Sequence, residues 1–494
     1  MTEMQPATSA AANLQATAGT RPKAIRTFLA IDERPRVVEI AQTTGGRALL
    51  SIVFACLLAF VKVDPWATLL ALGAAACAYL PKHRPLVLAG TTLGTLALSS
   101  SWFSIQPLAA VMLREKVASV TPDLVRLASV VCVFFMAAIL VQFARARKTS
   151  SLARRPVITL LTIVAAMTAL ASSRILAGAA QVSLWAFLES FIAYLWFIAY
   201  ALVDQRSRDR SATLFQIGTL HPFWGGTSTP FGKGAAFLRK VTAKNRSELA
   251  VTQLKGLKLL VWAFVLMEVS SRLNGLVASI GIEPLADLQA RHLAGMQFSI
   301  LHGWGALVWD TASSVFALAI YGHIIIAIAR FAGFRLPRNM YRPLEARTLA
   351  DYWNRFYYYF KELLVEFFFM PTFLKKFRNS PRLRIFFATV MSAGVGNFIF
   401  HFVRDIPSML SGGLMYALLS FQSYIFYCVV LSLGIGLSQL RTNGKKLNAN
   451  WTHRIFAFLC VWGFVVSIHI FGLSSRQFSL GDRLSFMAYL YGIN

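Results

Sequence analysis

The run Gly394-Val395-Gly396-Asn397-Phe398-Ile399-Phe400-His401-Phe402-Val403-Arg404-Asp405 places an amide, an imidazole and two opposite charges at the end of an apolar stretch. On a helix, Asn397 and His401 share one face at a spacing of four, and Arg404 sits one turn further on. A neutral imidazole, with an unperturbed pKa of about 6.5, can take the proton of a hydroxyl that attacks a carbonyl. A neighbouring amide can orient a substrate group or stabilise the negative charge that develops. The same residues fit a polar seam between packed helices, and the spacing alone does not choose between the two. Gly394 and Gly396 leave room there for another backbone. The other histidines stand in plainer company. His83, His221 and His453 lie in or beside loops, and His292 lies in a polar segment. His302, His323 and His469 lie in or near apolar runs, where a hydrogen bond between packed helices is the expected role.

These groups need elements to hold them. The chain has 494 residues, 56% hydrophobic and 14% charged, more apolar surface than a soluble exterior can hide. Repeated runs approach the roughly 20 residues that cross a bilayer core. They lack the polar–apolar alternation of barrel strands. The expected fold class is therefore all-α and polytopic, with about eleven transmembrane helices plus interfacial or re-entrant ones. Lys and Arg number 49 against 21 Asp and Glu, a net charge of +28. That excess sits in short loops between apolar runs, which is the positive-inside pattern and suits anionic lipid headgroups. No basic domain or base-stacking module accompanies it, so nucleic acid is not an expected partner. Cys56, Cys77, Cys132, Cys428 and Cys460 all lie in apolar runs without a CxxC pair. They read as buried small hydrophobes rather than disulfides or metal ligands.

Residues 1–46 read as a cytoplasmic disordered tail followed by a basic interfacial segment from about residue 21, with no cleavable signal pattern. Spans are expected near 48–63, 66–80, 86–106, 127–143, 157–173 and 184–203, making 47–203 an N-terminal transmembrane unit. Residues 204–256 read as a basic cytoplasmic loop on the membrane surface. The next spans fall near 257–274 and 309–330, the second preceded by a bent or interfacial entrance at Gly303-Trp304-Gly305. Further spans follow at 385–403, 412–438 and 455–473, with 257–440 as a core and 441–494 as C-terminal helices. The basic loops place the N-terminus in the cytoplasm and the C-terminus outside.

Between the core spans lies Asp351-Tyr352-Trp353-Asn354-Arg355-Phe356-Tyr357, leading into aromatic sequence and Phe369-Met370-Pro371. Charges mixed with aromatics are costly in lipid. The segment 351–373 therefore reads as an interfacial or half-buried helix that Pro371 terminates. Asp351 and Arg355 are spaced to pair with each other, and the aromatics are equally suited to anchoring at the interface.

The run from Tyr352 to Tyr357 with Phe369-Met370-Pro371, the apolar span ending at His401, and Leu254-Lys255-Gly256-Leu257-Lys258 ahead of a span together resemble the membrane-bound O-acyltransferase (MBOAT) family. The nearest branch holds the alginate O-acetyltransferases and the D-alanyl transfer protein of teichoic acid synthesis. The resemblance covers about residues 250–440 and is faint before 200. Where the family has a histidine after its Trp-Asn-Arg-Trp this chain has Tyr357, and where it has Trp-His-Gly this chain has Phe400-His401-Phe402.

The resemblance implies a bacterial inner-membrane enzyme. It would move an acyl group from a cytoplasmic acyl-CoA or acyl-carrier thioester to a hydroxyl of a cell-surface polysaccharide, a lipid or a secreted small molecule. His401 would be the general base, with Asn397 beside it. Asp351, Trp353, Asn354, Arg355, Tyr357 and Arg404 would bind substrate near the cavity mouth. No bound cofactor, metal or covalent acyl-enzyme is implied. The implied partners are membrane lipids, the donor, the acceptor and an accessory acyl-handling protein. Two other readings stand beside this one: an inactive relative that scaffolds a complex, and a transporter. Intramembrane charges along several spans, or repeat symmetry, would favour the transporter.

Overall fold

The computed structural model describes residues 29–62, 66–98, 105–206, 212–225, 229–442, 450–473 and 477–493. The tail expected at 1–20 and the start of the interfacial segment lie outside these residues. The described residues are helical almost throughout, without a strand; a single isolated bridge joins Thr242 and Phe334.

Eight described helices are long and apolar enough to cross a membrane, and Ala67–Tyr79 and Pro156–Ser172 are shorter apolar ones. Eleven spans were expected. The candidate at 86–106 is the helix Arg84–Leu98, whose 15 residues reach only about 22 Å against a hydrocarbon core of about 30 Å. Residues 99–104 lie outside the described set.

The longest two helices, Arg246–Ser279 and Ile300–Phe331, pack along each other. Their crossing is built from small residues: Ala263, Ala327 and Ala329 are fully buried, and a Cβ on Gly256 would sit 2.9 Å from the Ala327 carbonyl oxygen. Small residues let helix backbones approach where no hydrophobic drive separates helix from lipid. Ile300–Phe331 is one continuous helix through Gly303-Trp304-Gly305, where a bent or interfacial entrance was expected. On its other side, Lys258 of Arg246–Ser279 pairs with Asp32 at 3.1 Å, which ties the segment before the first span to this pair. Gly178–Asp204 is the most enclosed span. Its apolar window is 78% buried, against 22% for Thr44–Val61, so it stands inside the bundle rather than at its rim.

The expected loop at 204–256 is largely a packed structure. Thr213–Leu220 and Ala235–Val241 are helical, and Arg246–Ser279 begins well before residue 256. Phe215, Phe223, Trp224 and Phe231 are buried. Their apolar bulk, spaced by Gly and Pro without a helical or strand period, hides a core segment from a reading by composition. Cys77 and Cys428 are buried as expected, but Cys56, Cys132 and Cys460 are exposed, on helix faces that the rest of the chain leaves uncovered.

Two π-helical turns shape the region around His401: Val365–Phe369 and Val390–Gly396. They pack against each other. A Cβ on Gly396 would lie 2.6 Å from the Phe368 ring, so glycine is required for the two turns to meet. The neighbour of Gly396 is a ring, while at Gly394 the Cys428 carbonyl oxygen of another helix comes within 3.7 Å of the Cβ position, as the glycine pair suggested. Each extra residue in a π turn rotates the next stretch of helix by about 100°. Pro371 does not end its helix. It stands at the start of Met370–Lys375, directly after the wide turn, which removes the carbonyl clash a proline meets inside a regular helix. Gly396→Val is expected to cost about 1–3 kcal/mol by overpacking, read as a lower melting temperature in detergent.

Candidate functional site

A cavity of about 680 Å³ opens among the helices that carry these turns. His401 and Asn397 line it from Asn397–Phe402, a regular α-helical segment that keeps them on one face. Behind them Phe400 stacks on Trp196 of the enclosed span, with ring centroids 5.6 Å apart, which fixes the helix against the bundle core. The His401 ring lies 4.8 Å from the Tyr424 ring and 5.7 Å from that of Phe360. Among the described residues neither of its nitrogens has a hydrogen-bond partner, so aromatic packing orients it and the nitrogens remain open to a substrate.

Asn397 is 2% exposed. Its Oδ1 accepts a hydrogen bond from the Tyr424 hydroxyl at 2.9 Å, which leaves the amide NH₂ as the donor toward a ligand. Tyr424 was not foreseen. It stands on Gln422–Thr442, and nothing in the local sequence ties it to Asn397.

The helix Leu349–Phe356 divides the other expected residues by face. Tyr352, Trp353 and Phe356 line the cavity, as does Tyr357 at the break after it. Asp351, Asn354 and Arg355 do not line it. Arg355 Nε donates to Asp351 Oδ1 at 2.6 Å, and Asp351 Oδ2 accepts from the Arg347 amide at 3.2 Å. Asn354 is exposed. A 3.6-residue period cannot present all of these residues to one cavity, so Asp351 and Arg355 clamp the start of the helix instead. Arg355→Ala is therefore expected to leave activity unchanged and to lower stability by about 0.3–0.5 kcal/mol, checked by activity and melting measurements on the same preparation.

Tyr357 donates a long hydrogen bond of 3.4 Å to Thr229 Oγ1. Burial pushes its phenol up, against the opposing effects of Thr229 and Arg404, so it serves as a neutral hydroxyl and not as a base. Arg404 lines the cavity beyond the helix end, with its guanidinium over the Phe400 ring at 5.6 Å.

Two of the plainer histidines make bonds other than the expected one between packed helices. His302 Nε2 accepts from the Glu283 amide at 3.3 Å, and His323 meets the carbonyl of Ala319 on its own helix. His469 does more: it pairs with Asp310 at 2.8 Å and lines the same cavity as His401. The polar groups of the site thus extend beyond the His401 helix to Ile300–Phe331 and Trp451–His469. No metal-binding cluster of His, Cys, Asp or Glu occurs among the described residues. No family model matches this chain, and no curated protein matches it.

Proposed function

We propose that this chain is a membrane-embedded O-acyltransferase of MBOAT type. The observation that carries the reading is the cavity itself: an imidazole with both nitrogens open, beside a buried amide whose oxygen is already engaged, in a space of drug-like size. His401 takes the proton of the acceptor hydroxyl as its oxygen bonds to the thioester carbonyl carbon. The Asn397 amide supports the oxyanion. The C–S bond then breaks, and the imidazolium returns the proton to the departing thiolate. The products are an ester and a free thiol, and no other reactant is needed. The donor is an acyl-CoA or acyl-carrier thioester arriving from the cytoplasm. The acceptor is a hydroxyl of a surface polysaccharide, lipid or secreted small molecule, and the membrane is a bacterial inner membrane with the N-terminus on the cytoplasmic side. Thiol release from acetyl-CoA by protein in nanodiscs, with and without added alcohol, tests the reading. Release that depends on His401 supports it, and no release with any acceptor sinks it.

One observation favours a transporter: cavity polar groups come from several apolar helices, Asp310 and His469 among them. That reading predicts substrate uptake into liposomes with no thiol released.

A further inference from the structure

The cavity lining is mixed, with an aromatic cluster from one part of the chain and further polar groups from another. Trp353, Phe356, Phe360 and Phe400 form an aromatic side, drawn from the 349–364 segment and the helix of His401. Thr311, Ser314, Ser423 and His469 bring polar groups from Ile300–Phe331, Gln422–Thr442 and Trp451–His469, among apolar lining residues of the same helices such as Leu318, Leu431 and Ile468. An acyl chain is apolar and suits the first. A hydroxyl-bearing acceptor suits the second.

On the polar side His469 is held firmly. Its Nε2 lies 2.8 Å from Asp310 Oδ2; in the neutral ring that donates from Nε2 to this carboxylate, Nδ1 is the nitrogen left to accept. A carboxylate partner fixes both ring orientation and tautomer, as it does for histidines with a defined task. His401 has no such partner, so the two histidines are prepared for different work. Thr311 Oγ1 is spent on the Leu307 carbonyl at 2.8 Å. Ser423 Oγ donates to the Phe471 carbonyl at 3.1 Å and accepts from Arg483. Ser314 also brings a hydroxyl to this side, so what sets His469 apart is the carboxylate that holds its ring in one orientation.

We propose that the Asp310–His469 pair is the acceptor-positioning element of this cavity: His469 accepts a hydrogen bond from an acceptor hydroxyl other than the one acylated at His401. The acceptor then carries at least two hydroxyls. This rests on the acyltransferase reading. A purely structural pair joining two helices, the alternative, would have no preference among acceptors.

The test compares wild type with Asp310→Asn, His469→Gln and His469→Leu in nanodiscs, each checked for monodispersity. Acetyl transfer from acetyl-CoA is measured to methyl β-glucoside and to 1-octanol. The expected result is a fall of about tenfold in kcat/KM for the glucoside relative to octanol in His469→Leu, carried by KM, as for one lost hydrogen bond. His469→Gln retains an acceptor oxygen and recovers part of the preference. Equal losses for both alcohols, or an unchanged ratio, overturn the proposal while leaving the acyltransferase reading in place. If wild type releases no thiol with these or any other acceptor, that reading fails. Binding of methyl β-glucoside by saturation-transfer NMR then decides the subsite alone: binding lost in His469→Leu supports it, and binding equal to wild type overturns it.

Discussion

His401→Ala is expected to lower acyl transfer by about 10²–10⁴-fold, the range for loss of a positioned general base. The loss falls on kcat, because the ring acts when the hydroxyl proton moves and little before. Aromatic packing against Tyr424 and Phe360, with no polar partner among the described residues, means that removal strands no buried hydrogen bond. The variant should therefore insert and elute like wild type. His401→Gln, similar in size but unable to take up the proton, should be nearly as inactive. Retained activity in His401→Gln would assign the ring to packing instead. The measurement is thiol release alongside size-exclusion behaviour.

Asn397→Leu is expected to cost about 10²–10³-fold in kcat, the range for one oxyanion donor, with a smaller effect on KM. It also leaves the Tyr424 hydroxyl without its acceptor, so some loss of stability accompanies it. Tyr424→Phe separates the two effects. It keeps the amide and removes only the group that holds the amide oxygen, and looser orientation then costs up to about tenfold. If Tyr424 works only through Asn397, the double variant is no worse than Asn397→Leu alone, a coupling that neighbouring residues in one network show. Additive losses would mean that Tyr424 touches substrate directly. Steady-state kinetics on the four proteins measures this cycle.

The features legible in the sequence were those set by local periods. Asn397 and His401 were readable as neighbours because four residues on an α-helix share a face, and the segment is regular α-helix. The Asp351–Arg355 pair was readable for the same reason, yet its side of the helix was not. Which face of Leu349–Phe356 meets the cavity depends on tertiary packing, and the cavity took Trp353 and Tyr357 and left Asn354 outside. The π turns could not be foreseen, because no residue pattern of their own marks them and the approach of Gly396 to the Phe368 ring exists only in the packed structure. Contacts between distant positions were equally hidden. Tyr424 reaches Asn397 and His469 reaches Asp310 only after several helices have packed. The buried run around Phe223 and Trp224 looked like a loop because its glycines and basic residues outweighed its aromatics in composition.

The central claim is that a hydroxyl is acylated at His401 in the living membrane. Mass spectrometry of surface glycans, lipids and secreted small molecules from cells carrying wild-type or His401→Ala protein, expressed at equal levels, tests it most directly. The account predicts one ester-linked acyl modification that is present with the wild type and absent with the variant. Identical acylation in both cells would contradict it.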